Sequence, residues 1–191
     1  MAKTCDPVQA SLDWCEGKPQ FAGIRRRIYY SSVSNFVELP VIPEDENGHP
    51  TSAVLSGSFK MKEGKKFYGI DHLPDKAQPT SESQGEYPSQ SSHDKVVLVH
   101  PGIGSDASTA AAYLHNTDNV YIIEDFDGRA RVIGIERQWK TKASVAMDFG
   151  QGAAGTAATT ITIEGDNRLP FPEYRGSIDT EDGVIDYSKN S

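Results

Sequence analysis

Cysteine is almost missing from this chain of 191 residues: Cys5 and Cys15 are its two, both near the N-terminus. Two cysteines exclude a disulfide-stapled scaffold, and a separation of ten positions fits no zinc-ligand spacing. Free thiols in a reducing compartment are the reading that remains. Positive charge is also short. Lys and Arg number 19 against 27 Asp and Glu, a formal net charge of −8. Gripping nucleic acid through general electrostatics needs a basic footprint, which this balance does not supply. Long apolar runs are absent as well. No stretch approaches the ~18 residues of a membrane helix. "MAKTCDPVQASLDW" has no apolar segment of the secretory kind. The expectation is a soluble protein made in the cytoplasm. Hydrophobic residues make up 37%, with 17 Gly and 11 Pro. That composition predicts one domain with arms, holding long irregular segments around a modest core.

What is present reads mainly as β-structure. After a polar start, with a short helix expected over 9–16, the segment 24–30 is a β-branched and aromatic strand. Its run Arg25, Arg26, Arg27 is best read as a strand border paired with acidic neighbours rather than an anion contact. "PEDENGHPTS" at 43–52 is a loop by composition. Phe59 and Met61 alternate with Lys60 and Lys62, Glu63-Gly64 makes a turn, and 67–70 returns, so a hairpin is expected. Residues 71–95 are rich in serine and proline and poor in aliphatics, and read as one long loop, a length that is usually disordered or functional. A strand at 95–100 leads into a helix over 106–116 with Ser105 or Asp106 as its N-cap. The segment "NVYIIEDFDGRARVIGIERQW" holds strands 120–125 and 130–139 around an Asp127-Gly128 turn. A short strand is expected at "SVAMDF", a small-residue linker at 150–158, and a strand at "TTITIEG" with Ile161 and Ile163 on one face and threonines on the other. From Asp166 the chain reads as a polar arm.

The motif nearest to chemistry is Gly102-x-Gly104-x-x-Ala107, between an apolar strand and an alanine-rich helix, with Glu124 and Asp125 ending the next apolar run. A dinucleotide-binding unit would look like this locally. It also needs parallel strands returned by crossover helices. Here the strand after the helix turns back at Asp127-Gly128 instead. The glycines therefore read as a sharp strand-to-helix corner. "GQGAAG" runs into a strand and offers no helix start to an anion. Asp75, Glu82, Glu86, His93 and Asp94 lack ligand spacing, so no metal is expected. The five histidines are scattered; His100 and His115 read as structural. No nucleophile elbow is present. No enzyme, cofactor or metal is expected.

The order of elements in "VLSGSFKMKEGKKFYGI", "KVVLVHPG", "STAAAYLHNT", "DNVYIIEDFDGRARVIGIE" and "GTAATTITIEG" resembles the major tail (tail tube) proteins of long-tailed bacteriophages, related in fold to the tube proteins of contractile injection systems. It covers roughly residues 22–165, leaving 1–21 as an N-terminal arm and 166–191 as a C-terminal arm. The resemblance implies a mainly β (α+β) fold, an antiparallel β-sandwich or partly closed barrel with one flanking short helix. It implies hexameric rings stacked into a hollow tail tube in the virion, each subunit adding strands to a continuous inner barrel through which DNA passes. Tape-measure, tail-tip and tail-terminator proteins are the implied partners. On that reading an acidic lumen repels phosphates, with Glu124, Asp125, Asp127 and Glu136 as candidate lumen residues; a merely solvated face is the alternative for them. Lys60, Lys62, Lys65, Lys66, Ser81, Gln84 and Tyr87 are candidate inter-ring contacts, and plain solubilising edge lysines the alternative for the first four. The runner-up is another phage structural component, a capsid decoration or tail adaptor protein. More remote is a nucleotide-binding protein using the Gly102-Gly104 loop.

Overall fold

A computed structural model describes residues 11–189. In chain order it contains β1 (Arg27–Ser32), β2 (Phe36–Glu38), β3 (Lys60–Met61), β4 (Tyr68–Asp71), β5 (Gln78–Gln84), β6 (Ser91–Pro101), α1 (Ser105–Leu114), β7 (Asn119–Glu124), β8 (Ala130–Ile133), β9 (Lys142–Asp148), β10 (Ala158–Asn167), β11 (Glu173–Tyr174), β12 (Ser177–Thr180) and β13 (Gly183–Asp186). The mainly β, antiparallel, sandwich-like fold with one flanking helix is borne out; among the described residues no sheet closes into a barrel. A five-stranded sheet runs β11-β8-β7-β1-β4 and a four-stranded sheet runs β5-β6-β10-β9, with β12-β13 and β2-β3 as separate pairs.

β7 explains the layering. Its first five residues are buried, and a strand points successive side chains to opposite faces. Val120 and Ile122 enter one core cluster, with Phe36, Phe59, Phe67, Tyr174, Ile178 and Tyr187. Tyr121 and Ile123 enter another, with Val96, Leu98, Ile161 and Ile163 of the four-stranded sheet. The five-stranded sheet is therefore a middle layer. The four-stranded sheet covers one face, and segment 36–61 with the C-terminal strands covers the other. Gly134, at φ +88°, lets the chain leave β8: a Cβ there would sit 2.6 Å from the Asn119 carbonyl oxygen and from Thr141 Cγ2. β8 consequently ends at Ile133, short of the expected 139.

Several expectations are corrected. Residues 11–16 form no helix, and 9–10 lie outside the described residues. The 59–70 hairpin does not form: β3 pairs with β2, and β4 pairs with β1. Phe59 and Phe67 do both point inward, packing with Phe36 at ring-centroid separations of 5.4–5.6 Å; the core chose the partners. Segment 71–95 is no loop. β5 pairs with β6 from Gln78↔Val97 to Gln84↔Ser91, and its polar composition is that of an edge strand. The N-cap of α1 is Gly104, without a side-chain bond. Residues 166–189 are no arm, because β10 continues to Asn167 and Tyr174, Ile178 and Tyr187 are core.

His72, following β4, is buried and neither ring nitrogen has a hydrogen-bond partner. Burial lowers its pKa from the ordinary 6.5; backbone groups of Leu73 and Arg25 oppose this only in part, neither meeting hydrogen-bond geometry with the ring. The folded state thus refuses a proton that the unfolded state takes up, so stability falls as pH drops below about 6.5. His72→Leu should remove that part of the acid slope and, by deleting an unpartnered buried polar group, stabilise by about 1–3 kcal/mol at pH 5. Urea unfolding of both proteins at pH 7.5 and 5 measures it; parallel losses in the two would refute the assignment.

Candidate assembly surface

The four-stranded sheet has one apolar face and one that touches no core. Along β6, Asp94, Val96 and Leu98 are buried while Lys95, Val97 and Val99 are half-buried. β10 alternates in the same way, with Thr159, Ile161 and Ile163 inward and Thr160, Thr162, Glu164 and Asp166 outward. Register turns these outward residues into rows. Glu82, His93 and Asp166 lie side by side in one; Thr80, Lys95, Glu164 and Lys142 in the next; Gln78, Val97, Thr162 and Ser144 in a third. Lys95 Nζ is 3.2 Å from Glu164 Oε1, and His93 Nδ1 is 2.7 Å from Asp166 Oδ1. The face is mostly small and hydroxylic. It carries the carboxylates Glu82, Asp148, Glu164 and Asp166 against Lys95 and Lys142.

Both flanks of this sheet are open. β5 and β9 are seven residues each, each pairs on one side only, and no backbone group among the described residues bonds to the other side. Such edges invite further strands. Asp94 fastens β5 from within: it accepts from Ser81 Oγ at 2.5 Å, Asn167 Nδ2 at 2.5 Å and the Phe171 amide at 3.2 Å.

The acids singled out from sequence lie elsewhere, on the five-stranded sheet and its loops. Glu124 pairs with Arg25 at 3.0 Å, and burial raises its pKa. Asp125 accepts from the Arg129 amide at 2.8 Å and faces Arg131 at 3.5 Å. Asp127 lies 3.9 Å from Arg129. Glu136 is only 7% exposed and binds Arg168 and Gln138. The first three cluster at the β7–β8 turn and Glu136 follows the far end of β8, so the fold does not bring the four together, and each lies within 4 Å of an arginine. Of the arginine run, Arg25 pairs as expected and Arg27 meets Asp71, Glu181 and Asp182.

Among the expected contact residues, Lys60 pairs with Glu38, Lys62 Nζ donates to the Ser34 carbonyl at 2.7 Å, and Lys66 Nζ is 3.6 Å from Asp179. Lys65 is exposed beside the 63–64 turn. Ser81 and Gln84 are on β5, where Gln84 Nε2 donates to Ser91 Oγ at 3.2 Å, and Tyr87 is fully exposed in the turn that follows. Lys60 lies in the β2-β3 pair and Lys62, Lys65 and Lys66 in the loop after it, apart from the four-stranded sheet that holds β5.

The Gly102-Gly104 corner does not belong to a dinucleotide unit. α1 links β6 to β7, which lie in different sheets, and β6 is flanked by antiparallel strands. The Gly102 amide is already bonded to the Ala157 carbonyl at 3.3 Å. No group of three or more His, Cys, Asp or Glu among the described residues could hold a metal ion, and no described helix is long and apolar enough to cross a membrane. Comparison with known proteins gives no family model, no curated protein and no solved structure that matches this chain.

Proposed function

We propose that this chain is a structural subunit that joins copies of itself edge to edge into rings, and that the rings stack as the tail tube of a bacteriophage. The observation carrying this reading is the four-stranded sheet with two open edges of equal length. Its strands alternate in direction, so β9 runs opposite to β5. When β9 of one copy meets β5 of the next in a head-to-tail ring, the joint is again antiparallel. A head-to-tail contact closes into a ring when its rotation allows. Six copies of a four-stranded sheet give a barrel of about 40–50 Å backbone diameter, from ~4.8 Å strand spacing and a ~40° tilt. The face without a core then lines the lumen, and Glu82, Asp148, Glu164 and Asp166 become the lumen acids in place of those chosen from sequence. Small hydroxylic side chains and excess carboxylate give phosphates nothing to hold.

The test is cross-linking with electron microscopy. With Cys5 and Cys15 changed to serine, Ser144→Cys on β9 is combined with a scan of cysteines along β5, beginning at Thr80→Cys. One pairing in the scan should oxidise into an SDS-resistant ladder ending at a closed ring, and negative stain should show rings or tubes. A protein that stays monomeric at high concentration and yields no ladder anywhere in the scan overturns the reading.

A further inference from the structure

Every side chain of residues 11–22 is exposed, although Lys18, Pro19 and Gln20 border a recess with Asp127, Arg129, Arg175 and Lys189; Leu12 is fully exposed, and Trp14 and Phe21 are 71% and 62% exposed. Leu12 and Trp14 are two apart, so an extended arm presents them on one face with Asp13 on the other. The body offers a matching recess. α1 faces the sheets with Ala107, Ala110 and Ala111, and these short side chains leave a groove of about 220 Å³ floored by Ile70, Val145 and Ile161, with Arg27, Asp71, His100 and Thr159 also in its lining. An apolar cavity of ~150 Å³ already admits benzene, so this one has room for an indole. Asp106 at its rim offers an acceptor to the indole N–H.

We infer that Trp14 of one copy docks in the groove beneath α1 of a second copy of this chain. Placement of the elements argues for the second copy. The arm begins at Gly23 and Ile24, which share a recess with Pro79 of β5. The groove is walled by Val145 of β9. Joining β5 of one copy to β9 of the next therefore sets the root of the first copy's arm beside the second copy's groove. Trp14 lies nine residues before Gly23; with the turn at 15–18 opened, where the Lys18 amide bonds the Cys15 carbonyl at 3.3 Å, that length reaches up to ~30 Å. This inference rests on the proposed β5–β9 joint for its geometry. It adds a second contact that latches neighbours together.

Trp139→Phe leaves Trp14 as the single tryptophan of the full chain. As concentration drives association, followed by light scattering, Trp14 emission should move to the blue and acrylamide quenching fall several-fold. Ala111→Phe, which fills the groove, should keep Trp14 quenchable. A peptide of residues 9–22 added to the Trp14→Ser, Trp139→Phe chain should show the same saturable blue shift without any ring being required, and Ala111→Phe should abolish it. Because Trp14 is exposed, Trp14→Ser should weaken association several-fold at unchanged monomer melting temperature, a check that does not depend on the groove variant folding. Cross-linked β5–β9 rings in which Trp14 stays quenchable would overturn the docking while leaving the ring intact. Burial at every dilution would place Trp14 in its own chain, and burial that survives Ala111→Phe would place it elsewhere; either result overturns the inference. Failure of the peptide to bind does so even if no ring forms.

Discussion

Ending the chain after Asn167 should leave a protein that does not fold, although everything removed reads as a polar tail. Tyr174, Ile178 and Tyr187 are buried in the same cluster as Phe59, Phe67, Ile122 and Val132. Each fully buried side chain of this kind is worth about 1.5–3 kcal/mol, so their loss rivals the ~5–15 kcal/mol by which a domain is stable. Backbone pairing goes with them. The Leu55 amide bonds the Glu173 carbonyl at 2.8 Å, and the Phe67 amide bonds the Asp179 carbonyl at 2.9 Å. Arg27 would lose Glu181 and Asp182, and the middle sheet would show an apolar face to water. Circular dichroism and thermal unfolding decide the matter. A truncated chain that still melts cooperatively near the parent temperature would contradict this account of the core. Removal of residues 11–22, all exposed, should by contrast leave monomer stability unchanged.

The contrast between those two ends locates what the sequence could reveal. Strand β7, the Asp127-Gly128 turn, α1 and β10 were legible because each signal is local: an apolar run, a turn dipeptide, an alanine-rich stretch, an alternation of isoleucine and threonine. The C-terminal strands were hidden because Tyr174, Ile178 and Tyr187 follow no short period, and Pro170, Pro172 and Gly176 read as loop. β5 was hidden because its hydrogen bonds come from β6 and its own residues, serine and glutamine among them, have no apolar face to advertise. The candidate surface was half legible. The outward threonines of β10 stood out, and Glu164 and Asp166 continue their alternation, but nothing local says that Glu82, Lys95 and Lys142 join them. Register supplies that, and it pairs β10 with β6, 57–75 residues earlier, as readily as with its neighbour β9. Glu124, Asp125, Asp127 and Glu136 were prominent for the opposite reason: they sit in the most readable hairpin of the chain, and the arginines that engage them come partly from outside it.

Asp94→Ala should be the most damaging single substitution beneath this surface, costing about 2–5 kcal/mol, because it orphans the buried Asn167 amide and the Phe171 amide, each worth about 1–3 kcal/mol when unsatisfied. Asp94 sits where β5, β10 and the chain after β10 converge, and its loss frees all three. Phe171 has φ +41°, a left-handed conformation a phenylalanine rarely holds, and the bond to Asp94 helps to keep it there. The β5 hairpin should loosen first, visible as faster amide exchange at 78–84 than in the parent. Asp94→Asn separates hydrogen bonding from charge. It keeps an acceptor and removes a buried carboxylate, so its cost should stay within about 1 kcal/mol. The pH dependence distinguishes the two forms further. Burial raises the Asp94 pKa above the ordinary 3.8, against the pull of Ser81, Asn167 and the Phe171 amide. The folded state therefore holds this proton more tightly than the unfolded state does. Between the raised value and 3.8 the Asp94 contribution to parent stability grows as pH falls, and above that window it is lost. Asp94→Asn has no such proton, so the parent should gain stability relative to it on acidification through that window. An unchanged difference between the two across the acid range would show that Asp94 is held as a carboxylate as comfortably in the fold as in water.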